Sequence, residues 1–154
     1  MTSEVARDPV TRLQFGDLKR FSDIYRAYCN DYPSLSEYFA GDFRQTEALE
    51  QAIDRTTSFK RDRQTLVSVL KRQNERWGAR ESTLHNISRL LDPSAVAVVT
   101  GQQVGLLTGP LYTALKTITA LQVARELEAK TGKPCIPVFW LEGEDHDVAE
   151  ATSV

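Results

Sequence analysis

The chain has little cysteine: Cys29 and Cys135 stand far apart and alone among its 154 residues. That spacing makes neither a metal pattern nor a disulfide framework, so a cytoplasmic location is the default expectation. Cys135, just ahead of an apolar run, reads as a small core residue. No apolar stretch approaches the ~20 residues a spanning helix needs, and the opening MTSEVARDPVTRLQF lacks the apolar core of a signal peptide, so no membrane association is expected. Neither sign of charge dominates. The 19 Lys and Arg against 21 Asp and Glu give a net charge of -2, which argues against nucleic acid as the main partner. No second His or Cys lies at ligand spacing from the acidic segment near the carboxyl end, so no metal motif is present. Internal repeats and low-complexity segments are also absent.

What is present is a globular composition, 41% apolar and 26% charged, in a length that normally makes one domain. Residues 1–92 read as helical and residues 93–154 as α/β. Between Asp17 and Asn30 the side chains Leu18, Phe21, Ile24, Tyr25 and Tyr28 recur at three and four, which marks one helix face, and Pro33 stops it. A short turn with Leu35, Tyr38 and Phe39 follows, broken at Gly41-Asp42. Thr46 is the expected N-cap of a helix through Leu49, Ala52 and Ile53, and Asp62 that of another through Leu66, Val69, Leu70 and Trp77, with Gly78 at C′. Ser82 is the expected cap of a helix with Leu84, Ile87, Leu90 and Leu91 inside, ended by Asp92-Pro93, and His85 reads as a surface or packing residue on it rather than a catalyst. The eight Lys and Arg from Arg55 to Arg80, against Asp62 and Glu75, read as a solvated helix face.

The most informative stretch is Val96 to Pro110. A β-branched run (Val96, Val98, Val99) meets Gly101, Gly105 and Gly109, and Pro110 opens an apolar-striped helix over 110–130 through Leu111, Ala114, Leu115, Ile118, Leu121, Ala124 and Leu127, closed by Gly132 and Pro134. Strand, glycine loop and helix start in this order aim unpaired N–H groups and the positive end of the helix dipole at the space above the strand. The spacing is neither G-x-G-x-x-G nor G-x-x-x-x-G-K-[ST], so the loop alone leaves open whether the glycines serve a ligand or only the turn. Pro137 to Leu141 is a second buried-strand pattern, followed by Glu142-Gly143-Glu144-Asp145-His146-Asp147. In a βαβ unit both loops lie at the carboxyl ends of parallel strands, so they are expected to face one crevice.

Gln102 and Gln103 are candidate ligand contacts at the mouth of the loop, since each amide has donors and an acceptor; bracing the loop backbone is the competing role. Thr108 and Tyr112 flank the helix start and can offer hydroxyls, and Lys116 can reach the crevice rim or stay in solvent. Glu144, Asp145, His146 and Asp147 form the densest titratable group. His146 among carboxylates suits a general base, with a divalent-metal site and a plain capped strand end as alternatives. Two parallel strands with one crossover helix do not cover a sheet, so the expected fold is a helical amino-terminal segment followed by the first βαβ unit of an α/β core that is truncated at Val154.

The segments VAVVTGQQVGLLTGPLYTALKTITA and IPVFWLEGEDHDVAEATSV, with FSDIYRAYCNDYP and LKRQNERWGA upstream, resemble the bacillithiol biosynthesis cysteine-adding enzymes, or cysteine ligases, over nearly the whole chain. The resemblance implies a Rossmann-like core with inserted helical segments and homodimers paired through a carboxyl-terminal coiled coil absent from this chain. It implies a reaction joining the carboxyl of L-cysteine to the amine of glucosaminyl malate. A nucleoside triphosphate is chemically expected for carboxyl activation, although the resemblance does not say which cofactor serves. Carried over by position, Gly101, Gln102, Gln103, Gly109 and Pro110 would form the pocket floor and Glu144, Asp145, His146 and Asp147 its polar wall. Ala151-Thr152-Ser153 replace an Asn-His pair usual after the acidic segment. Two other readings stay open: a nucleotide- or anion-binding Rossmann module without ligase chemistry, and a helical interaction protein whose Arg55 to Arg80 segment meets an acidic partner.

Overall fold

The computed structural model describes residues 20–105 and 108–143. These fall into two compact units divided between Ala48 and Leu49. In the first, helix α1 (Asp23–Asn30) starts where Ser22 Oγ accepts the N–H of Tyr25, several residues later than the apolar periodicity suggests. Leu18 lies outside the described residues. Pro33 sits in a 3-10 turn, Tyr32–Leu35, which ends the helical path. Of the apolar positions of α1, Tyr28 serves an aromatic cluster, its ring 5.7 Å from Tyr32, 4.7 Å from Phe39 and 5.2 Å from Phe43, whereas Ile24 is exposed. Arg44 closes this unit by donating to both carboxylate oxygens of Asp42 and to the carbonyl of Cys29.

Helix α2 (Thr46–Thr57) contains Thr46 as its first residue, not as the cap before it. The second unit takes in its remainder, with α3 (Arg63–Arg76), α4 (Glu81–Arg89), strand β1 (Val96–Gln103), α5 (Leu111–Thr131) and β2 (Cys135–Glu142). Asp62 caps α3 by accepting the Thr65 N–H, and Gly78 follows it with φ +70°, both as the residue types require. The helix turns Val67 and Leu70 inward, whereas Leu66 and Trp77, placed on the inner face by spacing alone, are exposed. Helix α4 begins two residues earlier than expected: Arg80 is the N-cap, without a side-chain bond, and Ser82 lies within the first turn. His85 is exposed, a surface rather than a packing residue.

Strands β1 and β2 pair in parallel, with Val96 opposite Cys135 and Gln103 opposite Glu142. Alternation then assigns two faces. Val96, Val98 and Cys135 pack with Ile53 of α2 and with Ala124 and Leu127 of α5; Ile136 and Val138 pack with Val67 of α3, with Ile87 of α4 and with Leu90 at its C-cap. Helices therefore cover both faces of a parallel sheet, the arrangement of a doubly wound α/β core. Among the described residues the sheet has only these two strands.

The expected stripe of α5 meets the sheet only in its carboxyl half, at Ala124 and Leu127; nearer the amino end other positions turn inward. Thr113, Ala120, Ala124 and Leu127 are buried, while Leu111, Leu115 and Ile118 are exposed by 77%, 55% and 52%. Small residues at the inner positions let the helix lie close on the strands, and that close fit outweighs the larger side chains of the other stripe. Gly132, at φ +67°, ends α5 in the left-handed region.

Two charged side chains tie the layers together. Arg63 donates to the carbonyls of Leu90, Pro93 and Ala95, which the turn between α4 and β1 would otherwise leave without partners. Glu128 of α5 accepts from Arg89 of α4 at 2.5 Å and from the N–H of Cys135 at 3.1 Å, so one carboxylate joins both helical layers to the first residue of β2. The Arg89 guanidinium, and then the Cys135 N–H, hold the Glu128 carboxyl below its ordinary value of 4.5. Burial pushes the Cys135 thiol up, in keeping with an inert core residue.

Because the Glu128 value is lowered by folding, its contribution is fully present above the ordinary value and is lost as pH falls from 4.5 through the folded value. Glu128→Gln is therefore expected to lower the melting temperature at neutral pH, with the gap to the wild type closing on acidification below that point. Melting curves from pH 7 to pH 3 check it, and a gap that does not change with pH would contradict the ionic role. Arg63→Ala is expected to cost about 1.5–3 kcal/mol, the scale for hydrogen bonds to a charged group, read from denaturant unfolding.

Candidate functional site

Gly101, Gln102 and Gln103, expected to form a loop floor, continue β1 to its end, opposite Trp140, Leu141 and Glu142. The acidic segment likewise starts later than expected, since Glu142 is the last residue of β2. Gly101 is required inside the strand: a Cβ there would lie 2.6 Å from the Trp140 carbonyl oxygen and 3.1 Å from its Cβ. Gln102 stands on the α5 face, the side of Val96 and Val98 by alternation, and there it meets the first turns of the helix.

Its amide donates through Nε2 to the Tyr112 hydroxyl at 3.1 Å and accepts through Oε1 from Lys116 Nζ at 3.0 Å. The ammonium can only donate, so Oε1 must face Lys116 and the amide orientation is fixed. The ammonium also lies 5.3 Å from the centre of the Tyr112 ring, within cation–π range. Tyr112 oxygen acts as acceptor toward Gln102, so its own hydrogen is not spent on that bond. Gln102 thus joins Tyr112 and Lys116 into one exposed polar cluster at the carboxyl end of β1. Sequence spacing left Lys116 between rim and solvent; its side chain reaches back along the helix to the strand end, as helical side chains do.

At the start of α5, Pro110 is the N-cap rather than the first helical residue, and no side chain caps the helix. Before it, Gly109 has φ +77°, open only to glycine at little cost, and Thr108 holds the same φ with a β-branched side chain. Gly105 approaches Gly109 so closely that a Cβ on Gly105 would lie 2.9 Å from the Gly109 Cα. The glycines therefore close the connection tightly over the helix start. Leu106 and Leu107 between them lie outside the described residues, as do Glu144, Asp145, His146, Asp147 and Ala151-Thr152-Ser153. Among the described residues no three His, Cys, Asp or Glu side chains group as metal ligands, and no helix is long and apolar enough to cross a membrane.

Two grooves flank the sheet. One, of about 650 Å³, follows β2 between α3, α4 and α5 and is lined chiefly by apolar residues such as Leu70, Ile87, Val138 and Trp140. The other, of about 370 Å³, follows β1 beneath α5, and Tyr112 and Lys116 stand in its wall with Val98, Thr100 and Thr119. Only the second adjoins the polar cluster.

A parallel β-α-β unit with helices on both faces and a polar helix start at the strand ends defines a Rossmann-like domain. Residues 10–154 match the model of the family described as bacillithiol biosynthesis BshC, N-terminal Rossmann-like domain, and the chain belongs to that family. It is 47% identical over 133 residues to a protein of Salinibacter ruber whose name assigns it as a cysteine ligase, BshC; the match covers 86% of this chain and 24% of that relative. The proteins of the same name from Geobacillus sp. and Oceanobacillus iheyensis are 50% identical over 92 residues and 39% identical over 123. These matches cover 60% and 80% of this chain, and 17% and 22% of those relatives. The chain therefore spans about a quarter or less of the length of the relatives it matches.

Gly101→Ala is expected to push β1 and β2 apart at their carboxyl ends and cost about 1–3 kcal/mol by overpacking. The Trp140 carbonyl is backbone and cannot step aside as a side-chain tip can. Urea unfolding measures the cost, and an unchanged midpoint would show that the strands do not need this glycine.

Proposed function

We propose that this chain serves a cysteine ligase of bacillithiol biosynthesis, in which the carboxyl of L-cysteine is joined to the amine of glucosaminyl malate. The observation that carries the reading is the Gln102–Tyr112–Lys116 cluster beside an uncapped helix start in a member of this family. Glucosaminyl malate is rich in hydroxyls and carboxylates, and an ammonium, a phenol and an amide on rigid elements match those groups. Gly101, Gly109 and Pro110 shape the floor around the cluster, with Gln103 beside it. The names of the relatives support the ligase class.

In this reading the substrate amine attacks an activated cysteine carboxyl, the new amide C–N bond forms, and the leaving group departs with the electrons of the C–O bond. Activation of that carboxyl is the chemistry a nucleoside triphosphate supplies. The attacking nitrogen must shed a proton. We assign that proton to His146, with Glu144, Asp145 and Asp147 around it, because in the sequence this segment follows the end of β2 at Glu142 after a single glycine. The complete protein acts in the cytoplasm as a homodimer through a coiled coil outside this chain, and the chain alone carries out no ligation.

His146→Gln keeps hydrogen bonding but removes titration near neutral pH, so the ligation rate is expected to fall by ~10²-fold or more without a loss of folding. Product formation followed by mass spectrometry reads this. Retained activity would remove the base assignment, and activity lost to a chelator and restored by a divalent ion would move the segment to metal binding. Gln102→Ala is expected to raise KM for glucosaminyl malate up to about tenfold, the scale of one hydrogen bond. If the variant melts lower while KM is unchanged, Gln102 only braces Tyr112 and Lys116.

A further inference from the structure

Helix α5 carries four threonines, and three of them spend their hydroxyls in the same way. Thr117, Thr119 and Thr131 donate to the carbonyls of Thr113, Leu115 and Leu127, four residues back, at 2.7 to 2.9 Å. Thr113 does not. Its carbonyl partner by this rule would be Gly109, which precedes the helix in the left-handed conformation and does not accept from it. Thr113 is 9% exposed, and its Oγ1 is shut off from solvent with no hydrogen-bond partner among the described residues. A buried hydroxyl left in this state carries a desolvation cost that most structures avoid.

The position of that hydroxyl gives it a use. Side chains of a helix lean toward its amino terminus, and Thr113 is the third residue of α5, so Oγ1 reaches back to the helix entrance. It lies 3.4 Å from the point that a Cβ on Gly109 would occupy, which is the gap left by the glycine at that entrance. The N–H groups of Leu111 and Tyr112 open there without a side-chain cap. The Lys116 ammonium reaches back toward the same end of the helix, where it donates to Gln102 Oε1. Every group assembled is a donor or a positive charge.

We propose that Thr113 is a ligand-binding residue: its hydroxyl and the first N–H groups of α5 hold one oxygen of an anionic group, a carboxylate or a phosphate. The site follows from the orphan hydroxyl and the glycine gap; that its occupant is a substrate group of the ligase rests on the function proposed above. Gly109 is glycine for two reasons in this account, its φ and the room it leaves beside Oγ1.

The test uses the protein expressed from its complete gene, titrated in a calorimeter with inorganic phosphate and, separately, with L-malate. Wild type is expected to bind at least one of them, and which one identifies the source of the oxyanion. Thr113→Val, equal in shape but without the hydroxyl, is expected to bind it about tenfold more weakly, the scale of a hydrogen bond to a charged group. Its melting temperature should equal or exceed that of the wild type, because a buried unpartnered hydroxyl has been removed. Thr113→Ser should retain binding. If Thr113→Val does not fold, Thr113→Ala takes its place against the serine variant. Binding of neither anion by the wild type, or unchanged affinity in the valine or alanine variant, overturns the proposal. Cysteine ligation by the wild type is assayed in parallel: its absence beside Thr113-dependent binding refutes the ligase reading and leaves the anion site standing.

Discussion

The parallel pairing of β1 with β2, Val96 opposite Cys135 and Gln103 opposite Glu142, is the interaction on which the rest of the second unit depends. Its register is held at both ends. At the start, Glu128 takes the Cys135 N–H while bound to Arg89, and the Val96 N–H donates to the Pro134 carbonyl at 2.9 Å. At the far end Gly101 lets the backbone of Trp140 come close enough for the ladder to continue, and the Val104 N–H still reaches the Glu142 carbonyl at 3.3 Å. A slip of one residue would turn Gln102 away from α5 and bring Ala97 and Val99 to the face where Val96 and Val98 now pack.

That register explains why polar chemistry collects at one end of the sheet. Parallel strands bring their carboxyl ends together, and the crossover helix returns its amino terminus to the same end. Gln102 therefore meets Tyr112 and Lys116, ten and fourteen positions later, without any long-range fold beyond one β-α-β unit. The opposite end of the unit is occupied by structural contacts: Arg63 on three carbonyls and Lys133 Nζ on Asp54 at 2.7 Å. Charge near the amino ends of the strands ties the layers together, and charge near their carboxyl ends is gathered around Gln102.

Much of this was legible in the residues themselves. The β-branched runs, the glycines and Pro110 marked strand, turn and helix in the right order, Asp62 and Gly78 bounded α3, and the two-strand parallel unit followed from the crossover. The inner face of α5 was legible only in part: Ala124 and Leu127 of the hydrophobic stripe are buried, but toward the amino end the period-3.6 pattern points to Leu111, Leu115 and Ile118, whereas close helix–sheet packing selects Thr113 and Ala120. The ends of the strands were misplaced for a related reason: glycine and glutamine suggest a loop, yet Gly101 is demanded by the approach of another backbone, which no local pattern reveals. Lys116 was read only as a choice between crevice rim and solvent, and Thr113 carried no signal of its own. Their interest arises from a partner ten or more positions away in one case and from a missing partner in the other.

The central claim is that the helix start and the end of β1 together receive an anionic substrate. A crystal structure of the complete protein soaked with glucosaminyl malate tests it most directly. The account predicts a carboxylate of the malate group within hydrogen-bond distance of Lys116 or Tyr112, or of the first N–H groups of α5. Substrate bound only in the apolar groove beside β2, with the Gln102–Tyr112–Lys116 cluster left in solvent, would contradict it.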